Sequence, residues 1–232
     1  TGVQTCALPI YYPIDESTAF FRRPDFIEIP KYQLDEIHDG TKSINYYIGV
    51  DLAVSTADRS DYSVFVVAAV DDKGILNIVD TIKARQDAME TIETFFTLQH
   101  KYKPEWFAME KGTIEKSIGP VLRAEMISRN TYLNFQLQTA NKDKSTRARG
   151  LQARLRAGGI KFDKGAYWYS DLEDEMVRFP KARHDDTVDA LAWLGLTFDN
   201  VQHANTPEED EEYEYNLMSK DQSLGQSSVC GY

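Results

Sequence analysis

Tyr46-Tyr47-Ile48-Gly49-Val50-Asp51 is an apolar run that ends on a carboxylate. Aromatic and β-branched residues at this density favour a buried strand, and an Asp at its end stands at the rim of the sheet, where ligands reach it. Taken alone, Asp51 reads as a helix cap or a loop-solvating residue. Only further carboxylates change that reading.

Outward from this run, residues 55–60 are a polar loop, and Asp61-Tyr62-Ser63 leads into Val64-Phe65-Val66-Val67-Ala68-Ala69-Val70, a buried-strand signal. Asp71-Asp72-Lys73-Gly74 is a hairpin turn, and residues 75–82 alternate well enough for a third strand. Residues 46–82 are expected to form a three-stranded antiparallel meander. Over 86–102, Met89, Ile92, Phe95, Phe96 and Leu98 recur at helical spacings, and Lys103-Pro104 ends the helix. Trp106-Phe107-Ala108-Met109 then runs straight into Glu110, repeating the pattern of Asp51. A strand, helix, strand connection of this length lays the new strand parallel to one already in the sheet, and the expected neighbour is the Asp51 strand. Carboxylates side by side at two adjacent strand ends repel unless a cation joins them. The plain alternative for Glu110 is a surface residue leading into the next helix. A helix over 114–129 and a strand over 132–138 complete five strands in α/β order.

Between Lys142 and Lys164 the charge reverses: Lys142, Lys144, Arg147, Arg149, Arg154, Arg156, Lys161 and Lys164 face only Asp143 and Asp163. Ser145 is expected to cap a helix over 146–157, closed by Gly158-Gly159, with Leu151 and Leu155 inward. Its arginines suit sequence-independent phosphate contact, against the plainer reading of a solvated face paired with acidic residues. Residues 168–179 read as a helix stopped by Pro180. His184-Asp185-Asp186-Thr187-Val188-Asp189-Ala190-Leu191-Ala192-Trp193-Leu194 then puts three carboxylates within five positions, at the start of a helix apolar enough to be buried. One would satisfy the helix dipole; three repel, and a cation offsets that cost.

The chain has 232 residues, 42% hydrophobic and 27% charged, which suits one substantial domain with appendages. No apolar run approaches the length of a membrane span. Cys6 and Cys230 lie at opposite ends, with no second thiol or His near either at metal-ligand spacing, which fits a reducing cytoplasm. A formal net charge of −11 argues against wrapping of nucleic acid by the whole surface and leaves room for the local basic patch. Residues 1–10, uncharged and without an initiating Met, suggest a fragment with extraneous residues at its front. Residues 11–42, rich in Pro, aromatic and acidic residues, read as an extended connector. The stretch after Phe198, with Glu208-Glu209-Asp210-Glu211-Glu212, reads as an acidic disordered tail.

Three antiparallel strands followed by helix, strand, helix, strand is the order of ribonuclease H-like folds. Within it, Ile48-Gly49-Val50-Asp51, Ser60-Asp61-Tyr62-Ser63, Met109-Glu110, Lys144-Ser145-Thr146-Arg147-Ala148, Gly159-Ile160-Lys161-Phe162 and the stretch from Phe179-Pro180 to Leu191 occur in one order. In these pieces the chain resembles the nuclease domain of the large terminase subunit of tailed bacteriophages, the DNA-packaging motor. Holliday-junction resolvases share the Asp-x-x-Asp-Ala-Leu-Ala pattern seen from Asp186 to Ala192, without the Lys-Ser-Thr-Arg segment.

The resemblance implies an α/β ribonuclease H-like fold, with a five-stranded mixed sheet flanked by helices, over residues 43–199. It would lie between the connector at 1–42, a remnant of an upstream ATPase region, and the tail at 200–232. It implies Asp51, Glu110 and Asp186 as the catalytic metal-binding triad, with Asp185 or Asp189 as additional or alternative ligands. Hard oxygen ligands select Mg²⁺ or Mn²⁺ over Zn²⁺, and two such ions would activate a water and stabilise the leaving 3′ oxygen. Lys111, Lys144 and Arg147 are candidates for holding the scissile phosphate, with Lys142, Arg149 and Arg154 as further DNA contacts, and His184 for positioning water or a metal ligand. The implied substrate is concatemeric double-stranded DNA, in the cytoplasm of the infected host. The implied partners are the ATPase domain, the small terminase subunit and the portal; no membrane is involved. No GxxxxGK[ST] loop occurs, so the chain is expected to cut DNA without pumping it. A junction resolvase-like nuclease and a non-catalytic nucleic-acid-binding module on the same fold are the alternatives. A sugar-kinase-like ATPase lacks its glycine-rich adenosine loop.

Overall fold

The computed structural model describes residues 19–53, 62–112, 118–139, 144–182 and 184–197. The acidic tail, residues 1–10, the loop at 55–60 and Lys142 lie outside the described residues.

A mixed sheet forms the centre. β1 (Ile27–Glu28) and helix α1 (Lys31–Asp39) precede the expected meander of β2 (Asn45–Asp51), β3 (Ser63–Val70) and β4 (Leu76–Ala84). Helix α2 (Ala88–Tyr102), β5 (Trp106–Glu110), helix α3 (Gly119–Ser128) and β6 (Phe135–Gln138) follow. Helix α4 (Lys144–Arg156), β7 (Ile160–Phe162), helix α5 (Tyr169–Arg178) and helix α6 (Asp186–Leu196) complete the described chain. The strand order is β1-β7-β4-β3-β2-β5-β6. β2 pairs antiparallel with β3 and parallel with β5, as the crossover rule requires.

The sheet has seven strands where five are expected. The extra two, β7 and β1, add in parallel beyond β4. They have three and two residues, too short for periodicity to register. The expected connector is likewise more ordered in its described part. Phe21 and Phe26 are buried in the core, and α1 runs from Pro30 to a left-handed Gly40 at φ 76°. Ser145, expected as a cap, lies inside α4.

Why β3 is apolar throughout is now plain: it is central and covered on both faces. Val64, Val66, Ala68 and Val70 pack with α4, α5 and α6 through Leu151, Leu155, Leu172, Met176, Leu191 and Leu194. Phe65, Val67 and Ala69 pack on the other side with Ile92, Phe95, Leu98 and Leu122 of α2 and α3. The helix α2 starts on a capping box, Asp87 with Glu90. Among the described residues no helix is long and apolar enough to cross a membrane.

Candidate metal centre

Asp51 closes β2 two residues after Gly49, and strand alternation puts both on the face covered by α6. Gly49 permits an unusually close approach. A Cβ there would lie 2.2 Å from the Ala190 carbonyl oxygen and 3.1 Å from Leu194 Cβ, so only glycine lets the helix backbone rest on the strand. α6 itself is buried on nearly every side, at Val188, Ala190, Leu191, Ala192, Trp193 and Leu194. Its first turn is thereby delivered to the end of β2.

Glu110 ends β5, the parallel neighbour of β2. The pairing of β2 with β5 ends at Gly49 and Ala108, and Asp51 and Glu110 each lie two residues beyond it. Phe107 and Met109 enter the core on the α2 side, which turns Glu110 toward the α6 side, as Asp51 is.

The three carboxylates of the α6 turn have different partners. Asp189, almost fully buried, receives Lys144 Nζ at 2.6 Å and Arg147 Nη2 at 3.0 Å. The Arg147 guanidinium also lies over the Trp193 ring, 4.6 Å from its centre. Asp185 occupies the N-cap position yet makes no cap bond; its Oδ1 receives Lys144 Nζ at 2.8 Å instead. Asp186 is left open. Its Oδ2 is buried without a hydrogen-bond partner, with Lys83 Nζ at 3.8 Å and His184 Nδ1 at 3.9 Å.

Crowding of these anions shows in their proton affinity. Burial holds the Asp51 carboxyl well above the ordinary carboxylate range, and the charges of Asp189, Asp186 and Asp185 add to it against Lys144. Asp186 is raised as well, by burial first, with Glu175 and Asp185 adding and Lys83 and His184 opposing. Burial pulls the Lys144 ammonium down, but its hydrogen bonds to Asp185 and Asp189 outweigh that and leave it above the usual lysine value. Among the described residues no three His, Cys, Asp or Glu side chains stand close enough to ligate one ion together. Asp185 and Asp189 are instead turned to the cations of α4.

The remaining candidates fall into two groups. Lys111 is exposed just past β5, and Arg149 is exposed on α4. Arg154, by contrast, donates to the Gly74 carbonyl at 2.6 Å, and Arg147 is buried against Asp189. His184 stands edge-on to the Tyr62 ring at 5.6 Å. Two residues that sequence reading passed over also border the site. Lys83, on β4, bonds Glu175 of α5 at 2.5 Å, and Glu175 accepts from the Thr187 amide at 2.7 Å and its hydroxyl at 2.8 Å. A signal for Glu175 existed: it falls on the apolar stripe of its helix, between Leu172 and Met176, where a charge calls for a partner.

A family model described as the terminase RNaseH-like domain matches residues 48–196, from the middle of β2 to the end of α6. The chain belongs to this terminase family. Among solved structures, the terminase domain is similar to the large terminase of a thermophilic bacteriophage, with a TM-score of 0.51 at 11% identity over 77% of this chain. It spans 44% of that larger chain. It is also similar to the large terminase nuclease domain of Thermus phage P74-26, at 15% identity and a TM-score of 0.48 over 70% of this chain and 84% of that one. For the large terminase nuclease of thermophilic phage G20c with bound magnesium, identity is 16% and the TM-score 0.47, over 74% and 84% of the two chains. At such identity the likeness to the larger terminase bears on the fold alone. Comparison with curated protein sequences finds no match.

Proposed function

We propose that this terminase domain is a metal-dependent DNA endonuclease in which Asp51, Glu110 and Asp186 between them hold two Mg²⁺ or Mn²⁺ ions, no one ion taking all three. The observation that carries the reading is the Asp186 carboxylate, whose Oδ2 is buried and without a hydrogen-bond partner beside Asp51. A buried anionic oxygen without a partner is costly, and an all-oxygen donor set suits a hard divalent cation. This favours Asp186 over Asp185 as ligand, because Asp185 is engaged by Lys144. Such ions, when bound, supply an activated water and charge stabilisation for the departing 3′ oxygen of a phosphodiester.

The chain's own residues do the rest. Asp51 and Glu110 present anions from two parallel strand ends, and Asp189, locked by Arg147, fixes the orientation of the α6 turn. Lys144, Lys111 and Arg149 are the phosphate contacts on this reading, with Lys142 a further one. Arg147 and Arg154 serve the structure. His184 helps orient Asp186. Double-stranded DNA is the substrate during genome packaging in the host cytoplasm, with an ATPase domain, small subunit and portal as partners.

The test is cleavage of linear duplex DNA in Mg²⁺ or Mn²⁺ by the wild-type chain and by Asp186→Asn. Loss of cutting with an intact fold is the expected outcome; undiminished cutting removes Asp186 from the mechanism. Marked preference for four-way junctions over duplex would replace the packaging role with a resolvase-like one.

A further inference from the structure

The Lys83 ammonium has two carboxylates within reach and binds one of them. It is 2.5 Å from Glu175 Oε2 and 3.8 Å from Asp186 Oδ2. Glu175 is itself held in place. Its side chain is only 8% exposed, its Oε1 accepts from the Thr187 amide at 2.7 Å, and its Oε2 accepts from the Thr187 hydroxyl at 2.8 Å. The Thr187 amide is one of the unpaired donors of the first turn of α6, so Glu175 caps that helix from a neighbouring one. Asp185, at the N-cap position, makes no such bond. On the opposite side of the same turn Lys144 has bonded both carboxylates in its reach, Asp185 and Asp189.

We propose that Glu175 is a positioning residue that keeps Asp186 open for a cation by holding the Lys83 ammonium away from it. This rests on the metal-dependent reading above. Without the Glu175 charge, Lys83 would close the 3.8 Å gap and occupy Asp186 as Lys144 occupies Asp189. A bound ammonium and a divalent cation cannot share one carboxylate oxygen without strong repulsion. One carboxylate thus does two things: it anchors the turn that carries Asp186, and it sequesters the side chain that would block it.

Mn²⁺ titration calorimetry on the full 232-residue chain tests this, with cleavage as a second readout. Glu175→Gln keeps an oxygen acceptor for Thr187 and removes the charge that holds Lys83. It should weaken Mn²⁺ binding by about tenfold or more, the range of outer-shell effects at metal sites. Lys83→Met should bind Mn²⁺ as tightly as the wild type or more tightly. The double variant should recover most of what Glu175→Gln loses, a recovery that a capping role alone does not give. Lys83→Arg provides an arm that leaves residue 175 unchanged: its longer, forked guanidinium spans Glu175 and Asp186 together, and Mn²⁺ binding should weaken.

Wild-type affinity in Glu175→Gln, a loss that Lys83→Met does not rescue, or wild-type affinity in Lys83→Arg overturns the proposal. If the wild type binds Mn²⁺ and the variants match it, only this proposal fails. If the wild type binds none, the metal reading fails with it.

Discussion

Asp189 and Asp186 stand three residues apart on the first turn of one helix and have opposite surroundings. Asp189 is enclosed by Lys144 and Arg147, with the latter stacked on Trp193. Asp186 has a bare oxygen facing Lys83 and His184 at 3.8 and 3.9 Å. Sequence spacing puts both on one face and offers both as ligands. Their partners differ: one carboxylate is held by two close cations, and the other has only distant ones.

The hardest blow to this contrast is removal of the open carboxylate. Asp186→Asn, and likewise Asp51→Asn, should lower cleavage by more than about a hundredfold, the upper range of outer-shell substitutions at metal sites. Neither should lower the melting temperature, because each relieves repulsion among buried anions. The closed carboxylate should respond the other way. Asp189→Asn removes the carboxylate of a buried pair with Arg147, and breaking such a pair costs about 3–5 kcal/mol, read as a lower denaturant midpoint. If Asp189→Asn were as stable as the wild type, the division of labour would fall.

Gly49→Ala comes next, since its methyl would overlap the Ala190 carbonyl oxygen. Overpacking of this kind costs about 1–3 kcal/mol, and thermal melting together with Mn²⁺ titration would show whether the site loosens with the helix.

A smaller effect is expected from pH. With no cation present, Asp51 and Asp186 bind protons more readily in the folded than in the unfolded chain. Stability should therefore fall as pH rises from the ordinary carboxylate value through their raised values, and level off above. Asp51→Asn should flatten that slope in melts across the weakly acidic range. Smallest of all, Arg149→Met on exposed α4 should reduce the salt slope of DNA binding by about one, with no change in metal affinity.

Much of this was legible in the residues and some was not, for physical reasons. β2, β3 and β5 are apolar runs whose meaning depends on composition alone, and the parallel pairing of β2 with β5 follows from the crossover between them. Helix α1 carried its own punctuation in Pro30 and Gly40, obscured by the aromatic and proline-rich residues before it. β1 and β7 exist only because a neighbouring edge offers hydrogen bonds to them. Asp51, Glu110 and the three α6 carboxylates could be picked out because each ends a strand or starts a helix. Which of them is locked and which is open depends on Lys144, Arg147, Lys83 and Glu175, which come from α4, β4 and α5. Sequence distance hides such pairings, and only the packing of those elements against α6 brings them together.

The contact at Gly49 has a bearing on how such a site ages. Where two backbones touch with no side chain between them, the separation of strand and helix is a fixed gauge, indifferent to which rotamers the surrounding core adopts. Layers on the far side of the sheet can swell, shrink or exchange residues over many generations while the gap between Asp51 and the α6 carboxylates stays the same width. Drift in the rest of the molecule is decoupled from the one dimension on which the proposed metal site depends.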